Sequence, residues 1–215
     1  GPAQVLLMHK LLAQAWVKPL LFVLCTLPAV WLVGAGLLDR LGANPAEALI
    51  RGTGDWVLRF LCLTLAITPL RVMAGWPQLA RFRRMAGLFV FFYASLHWLS
   101  YAWFDMGFVW VDIVADVPKR PFILVGTLAW LLLLALAATS FNRAIRTLGA
   151  ARWQALHRMV YAVAVLALLH FFWMRAGKQD FAEVALYAAL LGGLLAWRVW
   201  RRWARHRPTP RVSAG

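Results

Sequence analysis

Acidic residues are scarce in this chain: eight Asp and Glu stand against 23 Lys and Arg in 215 residues. Charge of either sign is low as well, at 14%. An ordinary soluble domain carries about 25% charged residues and about 45–50% apolar ones. With 63% hydrophobic residues, the composition excludes that class and indicates a polytopic membrane protein. Cysteine is limited to Cys25 and Cys62, each alone inside an apolar run. That excludes a disulfide framework and a paired-cysteine metal motif, and leaves both as small packing residues. Internal repeats, low-complexity stretches and connections long enough for a separate soluble domain are missing too.

What is present is a set of long apolar runs. Six of them approach the ~20 residues that a membrane helix needs: about 20–38, 55–73, 85–104, 121–140, 153–174 and 181–200. The fold expected is all-α, a bundle of six transmembrane helices occupying residues 20–200. Residues 1–19 read as a cleavage scar (Gly1-Pro2) followed by an amphipathic leader, and 201–215 as a basic tail. The run from Leu20 to Leu38 is too long for a signal-peptide core, so no cleaved signal is expected. Pro28 and Pro69 lie in or near spans, where membrane helices tolerate proline.

Charge gives the expected orientation. With the N-terminus in the cytoplasm, most of the basic residues fall on that side: Lys10 and Lys18, Arg71 to Arg84, Arg143 to Arg152, and the tail from Arg198. All eight acids fall in or beside the opposite connections. The positive-inside rule therefore places both termini in the cytoplasm. Dispersal of the arginines over several loops gives no support to nucleic-acid binding; topology and anionic lipid account for them.

Of the five histidines, His9 in the leader and His206 in the tail read as solvated. The other three lie inside spans, where an ionisable group is costly and is read as functional by default. The third and fifth spans both run outward, so His97 and His170 share a depth toward the outer side. Two imidazoles at one depth in a bundle interior can take a haem iron from opposite faces. His157, 13 residues before His170, sits near the cytoplasmic end, roughly 20 Å away along an ideal helix. On that helix the two rings point roughly 140° apart. Facing one interior therefore needs a π-bulge or kink between them. Otherwise His157 is a buried histidine bonded to a neighbour, and a single haem exists. Fourteen residues before His97, on nearly the same face, stands Arg83. A charged arginine is a poor iron ligand, so an ion pair with a propionate or phosphate is the favoured role, with a snorkelling interfacial arginine as the ordinary alternative.

The stretches Arg83-Arg-Met-Ala-Gly-Leu-Phe-Val-Phe-Phe-Tyr-Ala-Ser-Leu-His97, Trp153-Gln-Ala-Leu-His-Arg-Met-Val-Tyr161 and Leu169-His170-Phe-Phe-Trp173, with Thr68-Pro-Leu-Arg71, resemble the MsrQ (YedZ) family. That family is the haem-binding membrane subunit of the periplasmic methionine sulfoxide reductase system, within the ferric reductase and NADPH oxidase transmembrane superfamily. The resemblance implies haem b, one or two per chain, ligated by His97, His170 and His157. The superfamily has a fourth histidine where this chain has Arg83. It also implies bound FMN, although no stretch reads as a flavin motif. Arg71, Arg83, Arg84, Arg152 and Arg158 are the candidate cofactor-binding residues, on the side where a flavin phosphate or an acidic donor would dock.

No attached FAD and NADPH domain is found, so electrons are expected from a cytoplasmic flavin reductase or membrane quinol. The expected acceptor is a periplasmic molybdopterin methionine sulfoxide reductase catalytic subunit that repairs oxidised envelope proteins. The localisation expected is the bacterial inner membrane, with the chain an electron-transfer subunit without substrate chemistry of its own. A ferric-chelate reductase is one rival; a histidine-relay proton channel or transporter is another.

Overall fold

The computed structural model describes residues 2–205, so the expectation of a solvated His206 lies outside the described residues. Within them the chain is a helical bundle with α1 Pro2–Ala13, α2 Val17–Leu37, α3 Pro45–Met73, α4 Arg83–Phe104, α5 Trp110–Asp116 and α6 Pro121–Ala138. It continues with α7 Asn142–Leu148, α8 Ala150–His157, α9 Val160–Ala176 and α10 Ala182–Arg205. A 3₁₀ turn over Pro77–Phe82 leads into α4. Six segments are long and apolar enough to cross a membrane, as the hydropathy pattern requires.

The boundaries differ where capping chemistry outweighs hydropathy. Helix α3 begins ten residues before the expected 55, because Asn44 caps it: its Oδ1 accepts from the Glu47 N–H at 3.2 Å, with Pro45 at the first helical position. Helix α10 runs to Arg205, past the expected tail boundary at 201. The fifth span is broken at Arg158 and Met159, dividing α8 from α9. The break falls in the interval between His157 and His170, where a kink is needed for both to face one interior.

Helices α3 and α4 form the most extensive pair, and α6 packs on α9. The core between α3 and α4 is aromatic: Phe60 stacks on Tyr93 at 5.2 Å and on Phe89 at 5.4 Å. Tyr93 is fully buried, so its hydroxyl needs partners. It donates to Cys25 O at 2.7 Å and accepts from the Ala29 N–H at 3.1 Å. The hydroxyl is thus inserted into the hydrogen-bond ladder of α2 next to Pro28, whose missing N–H already weakens that turn.

At the arginine-rich end, α1 is tied down by the α3–α4 connection. Arg81 donates to Leu12 O at 3.1 Å and Ala13 O at 3.0 Å, satisfying carbonyls left open at the end of α1. His9 is not merely solvated: its Nε2 lies 3.0 Å from Gly75 O and its Nδ1 3.2 Å from the Gln78 amide. At the acidic end, α5 is held by Asp116, which accepts from the Tyr101 hydroxyl at 2.7 Å and pairs with Arg120. This pairing, first with Arg120 and then with Tyr101, holds the Asp116 carboxyl below the usual carboxylate range.

Candidate functional site

Two cavities lie at opposite ends of the bundle. The acidic-end cavity, about 550 Å³, is bounded by α3, α4, α6 and α9. Helix α4 contributes His97 and α9 contributes His170, with ring centroids 5.9 Å apart and planes at 84°. His97 Nδ1 lies 2.8 Å from Ile50 O, and His170 Nδ1 lies 2.7 Å from Phe122 O. A carbonyl only accepts, so each Nδ1 carries the proton and each Nε2 keeps its lone pair. Metal-ligating histidines are oriented in this way, by donating the other ring N–H to a carbonyl or carboxylate.

The spacing suits a shared iron. Metal–imidazole bonds of about 2.0–2.1 Å on both sides, plus about 1.1 Å from nitrogen to ring centre, separate the centroids by roughly 6.3 Å. The observed 5.9 Å is within half an ångström of that. Two glycines make room for the rings. A Cβ at Gly54 would lie 3.1 Å from His97 Cε1, and one at Gly126 would lie 2.9 Å from His170 Nδ1. Neither glycine stood out in the sequence, because a glycine in an apolar run marks close approach only once its neighbour is known. At the rim, Arg175 is buried and pairs with Asp180 at 3.2 Å and with Glu183, while Lys178 reaches Glu47 at 3.0 Å.

The arginine-end cavity, about 540 Å³, is lined by Arg83, Arg84, Arg158, Arg198 and Arg202 together with His157, and no acid lines it. Arg84 donates to Asn142 Oδ1 at 3.0 Å, and Arg198 is held on the carbonyls of Leu194 and Leu65. Arg71 and Arg152 are exposed and do not line the cavity; the structure does not bring them to it. His157 is stacked on Trp153 with centroids 3.9 Å apart, and its Nε2 lies 3.1 Å from Thr139 Oγ1. Trp153 donates to Thr139 O at 2.8 Å, so one threonine holds both rings. Arg59, midway along α3 and stacked on Trp56 at 4.6 Å, is a further intramembrane charge that the charge pattern did not single out.

A six-helix membrane bundle holding two histidines across one cavity, and a basic cavity at its other end, defines a membrane protein of the cofactor-carrying kind. The comparisons with known proteins give the family. Residues 53–168 match the ferric reductase like transmembrane component family. The chain is 62% identical over 199 residues to the protein-methionine-sulfoxide reductase heme-binding subunit MsrQ of Polaromonas naphthalenivorans, covering 93% of this chain and 91% of that protein. It is 49% identical to the MsrQ subunit of Herminiimonas arsenicoxydans, over 88% of this chain and 87% of that one. It is 52% identical to the MsrQ subunit of Bordetella pertussis, over 88% and 91%. No solved structure matches. The chain belongs to the MsrQ family.

Proposed function

We propose that this chain carries electrons across the bacterial inner membrane through b-type haem bound between His97 and His170. The donor, a flavin reductase or quinol, acts at the arginine-rich end, on the cytoplasmic side with both termini. The acceptor is a periplasmic molybdopterin-containing methionine sulfoxide reductase at the acidic end, serving repair of oxidised envelope proteins. The observation that carries this reading is the 5.9 Å separation of two imidazoles whose Nδ1 protons are both taken by backbone carbonyls. When bound, haem supplies a one-electron couple.

The protein's own residues do the rest. The carbonyls of Ile50 and Phe122 fix the tautomers and orientation of the two rings. Gly54 and Gly126 let α3 and α6 approach those rings. The relatives are named as heme-binding subunits of a methionine sulfoxide reductase, which supports the acceptor assigned here. At the opposite end, guanidinium groups around a cavity without acids suit the phosphate of FMN. Reduction of methionine sulfoxide takes two electrons, so delivery is in two successive transfers.

The test is reoxidation. Dithionite-reduced protein in proteoliposomes is mixed with the periplasmic catalytic subunit and methionine sulfoxide, and the haem band is followed. Rapid reoxidation that needs both additions is expected. Reoxidation by ferric chelate but not by the catalytic subunit would contradict the acceptor assigned here. A colourless protein would contradict haem transfer altogether and leave a histidine proton relay.

A further inference from the structure

We propose that the exposed apolar face of α5 is where the electron acceptor docks, and that stacked indoles join this face to the cavity of His97 and His170; this rests on the function proposed above. The face consists of Trp110, Val111 and Val114, which are 61%, 78% and 71% exposed. Their spacing puts them within about 100° of arc on one side of the helix. Ile113, buried on the other side, packs with Tyr101 and Ala102. A helix of seven residues is too short to hold itself. Ile113 and the pairing of Asp116 with Tyr101 and Arg120 hold it instead, so the apolar face stands on a fixed support.

An apolar face at the end of a membrane bundle also suits lipid, as aromatic belts do. Two observations favour a protein. The first is the stack behind Trp110. Its indole lies on Trp98, with centroids 6.2 Å apart and planes at 25°. Trp98 directly follows His97 and stacks in turn on Trp130 at 5.0 Å and 12°, and both line the acidic-end cavity. Each of these two indoles donates to a hydroxyl on the opposite helix, Trp98 to Thr127 Oγ1 at 3.3 Å and Trp130 to Ser95 Oγ at 3.0 Å. Contact with lipid needs no link to that cavity. Electron exit does, because transfer slows exponentially with the gap to be crossed, and packed π systems couple better than open space. Each passage moves one electron from the bound cofactor to the acceptor; the indoles bridge the gap and are neither oxidised nor reduced.

The second observation is the charged edge. Asp105 and Asp112 are exposed beside the apolar face, with Lys119 as the exposed base of the same connection. Carboxylates are costly in hydrocarbon, whereas an apolar centre with a polar rim is the anatomy of a protein interface. The partner that fits is a water-soluble protein with an apolar patch edged by Lys or Arg.

Wild type, Val114→Asp, Trp110→Ala and Trp110→Phe are purified with haem, placed in nanodiscs and titrated with the periplasmic catalytic subunit. Affinity, amide hydrogen exchange over residues 108–116, and the reoxidation rate at saturating subunit and methionine sulfoxide are measured. Haem per chain should be the same in all four, because Trp110 and Val114 do not line the cavity. In the wild type, the subunit should slow exchange over 108–116. Val114→Asp should bind about tenfold more weakly or worse, yet reach the wild-type rate at saturation, since it spoils the face and leaves the indoles. Trp110→Ala should lose affinity and also be slower at saturation; Trp110→Phe, which keeps a ring on Trp98, should recover the rate. Unchanged affinity in Val114→Asp and Trp110→Ala, with exchange over 108–116 unaltered by the subunit, would assign the face to lipid and overturn the proposal. A Trp110→Ala rate at saturation equal to that of the wild type would overturn the indole route. A wild type that binds no catalytic subunit would overturn the acceptor of the proposed function, a different result from a bound subunit that leaves α5 unprotected.

Discussion

Replacing Gly126 with Ala adds one methyl group to the wall of the acidic-end cavity. Its Cβ would stand 2.9 Å from His170 Nδ1 and 3.1 Å from Cε1, closer than carbon packs on an aromatic ring. The ring cannot simply turn aside, because its Nδ1–H is held by Phe122 O at 2.7 Å, one turn earlier on the same helix. Either the ring shifts and loses that bond, or α6 and α9 separate. Overpacking costs about 1–3 kcal/mol, and a lost hydrogen bond adds about 0.5–1.5 kcal/mol. Together they amount to about 1.5–4.5 kcal/mol charged to haem binding, tenfold at the least, since each 1.4 kcal/mol is a factor of ten. Helix propensity works in the opposite direction, favouring Ala over Gly by about 1 kcal/mol, so the fold should survive. Gly193→Ala in α10 is the control: it has the same propensity gain, and its Cβ meets nothing within 4 Å. Haem per chain and the low-spin spectrum of the two purified variants provide the assay. Gly126→Ala should lose haem or its low-spin signature while Gly193→Ala keeps both. A Gly126→Ala protein with full haem and an unaltered spectrum would refute the reasoning.

Tyr93→Phe should lower the thermal midpoint of the detergent-solubilised protein, because it leaves Cys25 O and the Ala29 N–H without their partner at about 1–3 kcal/mol per buried group; an unchanged midpoint would contradict the role given to that hydroxyl. Asp116 has a folded pKa depressed chiefly by Arg120, so its contribution to holding α5 is complete above the ordinary carboxylate range and is lost as pH falls through the depressed value. Fluorescence of Trp110 should therefore be flat from about pH 5 upward and change below about pH 4, and in Asp116→Asn it should already be changed at neutral pH. Reduction by a protein donor at the arginine-rich end should slow as salt rises, since the Debye length shrinks from about 10 Å at 0.1 M to about 3 Å at 1 M; salt-independent kinetics would favour quinol entry through the lipid.

Much of this architecture is legible in the sequence because hydropathy and helix rise act over whole segments. Six apolar runs become six candidate spans, and counting along parallel-running helices puts His97 and His170 at one level, where the structure has them 5.9 Å apart. Azimuth is harder to read. An ideal helix turns His157 away from His170, and the structure breaks the helix between them at Arg158–Met159, in a stretch without proline or glycine to announce it. The start of α3 was readable in principle: Asn44, Pro45 and Glu47 form a capping signature that lies outside the apolar run. Gly54, Gly126 and Thr139 were not. Each acts on a ring carried by a different helix, and nothing local distinguishes Thr139 from any other threonine at a helix end.

The account turns on haem held by the facing imidazoles, and haem retention in His97→Ala and His170→Ala measures it most directly. Each variant is purified with its wild-type parent and assayed by pyridine haemochromogen and by the low-spin absorption of the oxidised protein. On the proposed function each ring supplies one side of the same site, so either substitution alone should abolish the low-spin signal, and the double variant should be no worse than the single ones. Full haem content and an unchanged low-spin spectrum in both single variants would contradict it.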